Sequence, residues 1–203
     1  MIAGRVLRSS TTGFTIGCQQ VIAEQSHVAP AFGALVKAHN PDGSVTYGLV
    51  YNVTVEDDPF VRQLVAAGVE DEEFIADQRQ RRQVPVAVDV LVVGHGQSKT
   101  PGSAVMDVYY RLPQQPPGAL DRIYICNGAE VRRFTERNDW LRIVLGAADA
   151  PADQLIVAAL RAGADARPTN QEKDAYRIAA GRELARLLAL DLTRLDGILR
   201  QLS

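Results

Sequence analysis

From Ile2 to about Val55, apolar and polar residues alternate, with glycines and short polar breaks between the runs. Successive side chains of a strand point to opposite faces, so this pattern predicts antiparallel strands with one face buried. The predicted strands are Ile2–Arg8, Gly13–Ala23, Ala31–Ala38 and Ser44–Val55. In the second, Phe14, Ile16 and Cys18 share one face while Thr15, Gly17 and Gln19 take the other. Asn40-Pro41-Asp42-Gly43 predicts the reversal between the third and fourth strands, because Pro presets the first corner and Gly accepts a positive φ. Gly4, Gly13, Gly17, Gly33 and Gly48 lie in or beside these strands, where they permit the bends and bulges of a small closed barrel.

After the fourth strand the pattern turns helical. Asp58-Pro59 places an N-cap before a proline at the first helical position, and Gly68 ends the segment. Phe60, Leu64 and Val65 form its apolar stripe. A second, polar helix is predicted from Asp71 to about Arg82, acidic at its start and basic at its end as the helix dipole favours. Strands resume at Val84–Val93, Ala104–Arg111 and Arg122–Cys126, with a proline-rich loop at Pro113–Gly118. Residues 1–127 therefore read as a β-barrel with a helical insertion at about 59–82.

Beyond Asn127 the period lengthens to about 3.6 residues, and Asn127 with Glu130 three residues later forms a capping box. Residues 128–203 read as a helical subdomain. It comprises helices at about Ala129–Thr135, Asp139–Leu145 and Pro151–Ala162, the last two ended by Gly146 and Gly163. A long terminal helix over about 170–202 opens on a second box, Thr169-Asn170-Gln171-Glu172. Along it Ile178, Gly181, Ala185, Leu188, Leu192, Leu195, Leu199 and Leu202 recur at spacings of three and four, the spacing of a coiled-coil seam. That seam either packs on the preceding helices and barrel or meets another chain; Leu188, Leu192, Leu195 and Leu199 are the candidate partner contacts. The fold class is α+β, a small N-terminal antiparallel barrel followed by helices.

Composition adds a bound. The 203 residues are 46% hydrophobic and 23% charged, enough to bury a core within one domain or a domain with a subdomain. A net charge of -2 argues against wholesale binding to nucleic acid or anionic membrane. Neither a secretory signal nor an apolar run long enough to cross a bilayer is present, so the expected location is the cytoplasm, with Cys18 and Cys126 as buried free thiols.

Candidate chemistry is sparse. Gly94-His95-Gly96-Gln97-Ser98-Lys99-Thr100 has Gly, Lys and Thr in the order of a phosphate loop, but Ser98 precedes Lys99 and Pro101-Gly102 follows in place of a helix. It reads as a glycine-rich hairpin connection. His27, His39 and His95 lie apart and show no metal-ligand spacing. Glu56-Asp57-Asp58 and Glu70-Asp71-Glu72-Glu73 adjoin helix starts, where carboxylates cap amides. No nucleophile signature is present, so no catalytic residue, metal or cofactor is assigned. Arg79, Arg81 and Arg82 in the insertion, with Arg132, Arg133 and Arg137 beyond the barrel, form mild basic clusters that read first as solvated helix faces, because aromatic residues are not interleaved with them; phosphate contact through Arg79, Arg81, Arg82, Arg132 and Arg133 is the alternative. Tyr109 and Tyr110 beside Arg111 cannot both join one surface, because adjacent strand positions face opposite ways.

Gly4-Arg5-Val6, Ser9-Ser10-Thr11-Thr12 with the strand from Gly13, and Gly48-Leu49-Val50-Tyr51-Asn52 together resemble the HAS barrel, the small barrel of HerA-type DNA-translocating ATPases and ATP synthase catalytic-core subunits. Glu56-Asp57-Asp58-Pro59, the strand reaching Gly94, and Pro116-Pro117-Gly118 extend the resemblance over about the first 130 residues. In that family the barrel serves ring assembly and partner contact, while a separate motor carries nucleotide chemistry. This sequence has no Walker loop, so no catalytic or nucleotide-binding residue carries over. The resemblance implies a stand-alone, non-enzymatic interaction or assembly module that docks on a partner or on its own copies and does not enter a membrane. An accessory role in nucleic-acid processing through the arginines and an unrecognised enzyme are the alternatives.

Overall fold

The computed structural model describes residues 1–20, 29–55, 59–68, 71, 73–74, 84–98 and 106–202. Its strands are β1 (Ile2–Ser9), β2 (Gly13–Gln20), β3 (Leu35–His39), β4 (Val45–Val55), β5 (Val84–Ser98), β6 (Met106–Tyr109) and β7 (Arg122–Ile125). Six of them close an antiparallel barrel, β1–β2–β5–β4–β3–β7 and back to β1, and β6 adds to β5 outside the ring. Closure removes the free edges that would invite aggregation. The turn between β3 and β4 closes on Gly43 at φ 81, with the Asn40 amide donating to the Ser44 carbonyl at 2.9 Å.

The fold is α+β, as the sequence predicts, but β5 runs further than expected. Gly94, His95, Gly96 and Gln97 are strand, not a hairpin connection. The first half of β5 pairs with β2 to close the ring, and the second half continues past β2 to hold β6. Gly94 is needed there because any side chain would meet the Tyr109 carbonyl oxygen at 2.7 Å.

Alternation sorts the barrel wall into two cores. Inside lie Val6, Phe14, Ile16, Cys18, Val36, Val50, Ile123 and the even-numbered valines Val86, Val88, Val90 and Val92 of β5. The outward residues of the neighbouring stretch are apolar too: Leu35, Val45, Tyr47, Leu49 and Val93 are buried, with Tyr51 and Leu91 packed beside them. This is why Val45 to Val50 is buried without a break. Strands covered on both faces read as continuous apolar runs, and the second cover here is helical.

The insertion contributes α1 (Pro59–Ala66), terminated by Gly68 at φ 62. Val65 is exposed, whereas the Phe60 and Leu64 side chains fall outside the description. Of the polar helix expected over Asp71 to Arg82, only residues 71 and 73–74 are described, and there the Asp71 carboxylate accepts from the Glu73 and Phe74 amides.

Five helices follow the barrel: α2 (Gly128–Phe134), α3 (Trp140–Leu145), α4 (Ala152–Asp165), α5 (Asn170–Leu187) and α6 (Leu192–Leu202). The Asn127–Glu130 capping box forms in full, and Glu130 also pairs with Lys37 of β3, tying α2 to the barrel. Burial would raise the Glu130 carboxyl, but the hydrogen bond and charge of Lys37 hold it below its ordinary value. Thr169 caps α5 by accepting from the Glu172 amide at 3.2 Å. Phe134, Trp140, Leu141, Leu155 and Ile156 press on the outer wall, with the Tyr47 and Phe134 rings 5.3 Å apart.

Two sequence expectations are corrected here. The terminal helix is not continuous over 170–202: α5 ends at Leu187 and α6 begins at Leu192. Asp191 makes the break, since its carboxylate accepts from the Arg194 amide at 3.0 Å and its carbonyl from the Leu195 amide. An aspartate that can cap a new helix competes with continuing the old one. Gly163 does not end α4, which runs to Asp165. Gly163 instead makes room for Tyr176 of α5, whose hydroxyl oxygen lies 2.5 Å from where a Cβ would stand.

Arg167 locks this corner. It is buried, lies 3.6 Å from the Tyr176 ring centre, and donates to the Thr135 carbonyl at 3.1 Å and to the Gly163 carbonyl. It thereby satisfies carbonyls at the ends of α2 and α4 while pinning the ring of α5, so Tyr176 cannot swing away from Gly163. Gly163→Ala is therefore expected to destabilise the chain by about 1–3 kcal/mol in urea unfolding, despite alanine's better helix propensity. Stability equal to or above wild type would contradict this packing.

Candidate functional site

Sheet register assembles a polar ladder on the barrel's outer wall. Arg8 of β1 sits opposite Thr15 of β2, Thr15 opposite Asp89 of β5, and Asp89 opposite Asn52 of β4. The side chains connect in that order. Arg8 Nε donates to Thr15 Oγ1 at 2.9 Å, Thr15 donates to Asp89 Oδ1 at 2.6 Å, and Asn52 Nδ2 donates to Asp89 Oδ2 at 3.0 Å. The Arg8 guanidinium also stands 3.7 Å from Asp89 Oδ1. Register irregularities occur at both ends of the ladder, between Val6 and Arg8 and between Val50 and Asn52. Bulges of this kind re-aim side chains, and here they bring Arg8 and Asn52 into line with the two central strands.

Arg8, Thr15 and Asp89 of the ladder line a groove of about 610 Å³. Tyr51, Leu91, Leu112 and Ile143 supply apolar lining, and the β1–β2 turn and the Gly146–Ala150 loop after α3 contribute the rest. Burial alone would raise the Asp89 carboxyl, but the hydrogen bonds from Thr15 and Asn52, with the Arg8 charge, outweigh it and hold the group below its ordinary value. Tyr51 is shifted the other way. Burial raises its phenol first, Asp89 and Asp149 add to the rise, and Arg8 opposes them with a smaller effect.

These residues carry no signature that sequence reading picked out. One signal was available: Asp89 is a lone carboxylate inside Val84-Pro85-Val86-Ala87-Val88-Asp89-Val90-Leu91-Val92-Val93. A charge in such a run needs partners, though strand register alone reveals which.

The predicted partner contacts divide. Leu188 is 7% exposed and joins the helical core, and Leu195 is packed against that core. Leu192 and Leu199 are 67% and 39% exposed. The seam does not pack on the earlier helices as a unit; α5 buries Tyr176, Ala180 and Leu184 instead, and α6 buries Ile198. The seam positions left outside include Ile178, Ala185, Leu192 and Leu199, and Leu199 comes within 3.8 Å of where a Gly181 Cβ would stand. Leu190, in the turn between the helices, is fully exposed.

Of the predicted arginine contacts, the three described ones are each engaged within the chain. Arg132 pairs with Glu172 at 2.8 Å, Arg133 donates to the Met106 carbonyl, and Arg137 pairs with Asp139 at 2.9 Å. Arg79, Arg81 and Arg82 lie outside the described residues. Tyr109 and Tyr110 face opposite ways as expected, Tyr109 against His95 and Arg111, Tyr110 donating to the Phe134 carbonyl at 2.6 Å. His39 packs edge-on against Tyr124, and His27 is outside the description.

Among the described residues no group of three or more His, Cys, Asp or Glu is placed to hold a metal, and no helix is long and apolar enough to cross a membrane. Cys18 and Cys126 are free and buried, burial pushing their thiols up to about 11 and about 12. Such groups are poor nucleophiles at neutral pH. No known protein-family model and no curated protein matches the chain.

The ladder has a pH signature. A carboxyl depressed by folding contributes stability above its unfolded value, and this is lost as pH falls through the folded value. Asp89→Asn is expected to cost about 0.5–1.5 kcal/mol at neutral pH. The gap from wild type should close as pH drops below about 4, the ordinary carboxylate range. Urea midpoints measured across that range test it, and a gap that ignores pH would contradict the role given to Asp89.

Proposed function

We propose that this chain is a non-enzymatic protein-interaction or assembly module of the kind its resemblance to HAS barrels implies. The observation that carries this reading is the set of apolar side chains exposed on α5, on α6 and in the turn between them: Ile178, Leu192 and Leu199 on the helices and Leu190 in the turn. Scattered exposed leucines need no explanation, but Leu192 and Leu199 are seven residues apart on one face of α6, and Leu199 lies against the Gly181 side of α5. Burying a leucine side chain stabilises a contact by roughly 1.5–3 kcal/mol, so a few of these residues suffice for specific association.

The helices below the row give it a firm base. Leu188 and Leu195 anchor the same two helices in the monomer core, so a partner meets side chains on an ordered surface. The ion pairs Arg186–Glu183 and Arg200–Asp196 lie on these same two helices and add a polar component suited to an interface rim. The barrel, closed and covered, acts as the scaffold. The arginine-based nucleic-acid reading finds less support, because Arg132, Arg133 and Arg137 are each engaged within the chain.

The test compares wild type with a Leu192→Asp/Leu199→Asp double variant. By light scattering over about 1 to 200 μM, a range suited to micromolar affinity, wild type should exceed the 22.1 kDa of one chain or capture a host protein that the variant does not. The variant should remain folded and monomeric; Leu192 is mostly exposed, whereas Leu199 is 39% exposed and close to Gly181, so a small drop in thermal midpoint is expected from its loss. A wild-type monomer at every concentration, together with identical host proteins recovered by both forms, would overturn the proposal.

A further inference from the structure

We propose that the groove lined by the polar ladder and the Gly146–Ala150 loop receives a positively charged side chain, an arginine or lysine carried by an extended segment of a partner protein. This deepens the protein-interaction reading by naming a second contact, on a face built by different residues from the α5–α6 row.

Charge decides the sign of the ligand. Among the described residues, three charged ones line the groove: Arg8, Asp89 and Asp149. Arg8 and Asp89 are bound into the ladder and offset one another. Asp149 is exposed on the Gly146–Ala150 loop and is left as the uncompensated charge. Tyr51 lies near both carboxylates: burial raises its phenol first, and Asp89 and Asp149 each add to the rise. An anionic ligand would be repelled by Asp149, whereas a cationic group gains from that carboxylate and can lie on the tyrosine ring.

Shape and lining decide the rest. Leu91, Leu112 and Ile143 offer an apolar floor to the methylene stem of a long basic side chain. A volume of about 610 Å³ is more than one such side chain fills, leaving room for its flanking residues. Ser10 and Thr12 line the groove at the β1–β2 turn, where their hydroxyls bond each other and Ser10 also bonds the Gly13 backbone, giving that end a firm polar wall.

The test is an amide-shift NMR titration of the full chain with blocked five-residue peptides, Ala-Leu-X-Leu-Ala, where X is Arg, Lys, Gln or Glu. The Arg and Lys peptides should shift Tyr51, Leu91 and Ala147 to Ala150 with millimolar affinity, about 4 kcal/mol of binding free energy. The Gln and Glu peptides should bind at least about threefold more weakly, and Asp149→Arg should weaken the Arg peptide by a similar factor or more. Because Asp149 is exposed, that variant should keep the wild-type spectrum elsewhere. Absence of groove shifts at about 10 mM peptide, equal binding of the Glu peptide, indifference to Asp149→Arg, or equally tight binding of free agmatine would each overturn the proposal. The Leu192→Asp/Leu199→Asp variant should bind the Arg peptide like wild type, so failure of the groove and failure of the helical contact are told apart.

Discussion

Strands β4 and β5 carry apolar side chains on both faces, and a wall of that kind cannot stand in water by itself. Inside the ring, Val50, Val88, Val90 and Val92 meet Phe14 and Ile16; outside it, Tyr47, Leu49 and Val93 meet Phe134, Trp140 and the helices behind them. Removing either cover would expose a contiguous apolar face, so the helical layer is a condition of the barrel's stability. The same constraint explains the placement of α4, whose buried face touches α2, α3, α5, α6 and β4. Lys37–Glu130, Tyr110–Phe134 and Arg133–Met106 fasten the two layers with polar contacts at their margin.

The candidate site lies where that cover ends. Along the outward positions of β5, Val93 is buried under the helices, Leu91 packs against that core and also lines the groove, and Asp89 lines the groove. Two steps of two residues therefore take the wall from apolar and covered to polar and open. The ladder resolves the electrostatic problem this creates: the Asp89 side chain, 19% exposed, is held by Thr15 of β2, Asn52 of β4 and Arg8 of β1. The groove and the leucine row thus have a common origin. Both are places where the helical layer stops short of satisfying the surface beneath or upon it.

Local features were legible in the sequence, and features set by pairing were not. The Asn127–Glu130 box, the Asn40–Gly43 turn and the inward face of Phe14, Ile16 and Cys18 depend on residues a few positions apart, and all three form as read. The ladder joins positions 8, 15, 52 and 89, which only strand register brings together. The terminal helices failed for a different reason. Leucine and alanine are so dense from Ile178 onward that a seam spaced by three and four can be drawn in more than one phase, and Asp191 resets the phase by starting a new helix. The residues chosen for the seam then fall on both sides, Leu188 inward and Leu192 outward. Glycine commonly ends helices, but the role of Gly163 is set by Tyr176, thirteen residues further on, and no local rule contains that contact.

If the helical layer is what makes the two-sided wall stable, barrel and helices cannot unfold apart. The single tryptophan, Trp140, lies buried in the helical layer and reports on it by fluorescence, while hydrogen exchange of the Val86, Val88 and Val90 amides reports on the barrel. Urea unfolding followed by both probes is the direct measurement. Coincident transitions at one midpoint are the outcome expected of a single cooperative unit. A Trp140 transition completed while the β5 amides remain protected would contradict it, and would make the barrel an independent domain with the helices as an appendage.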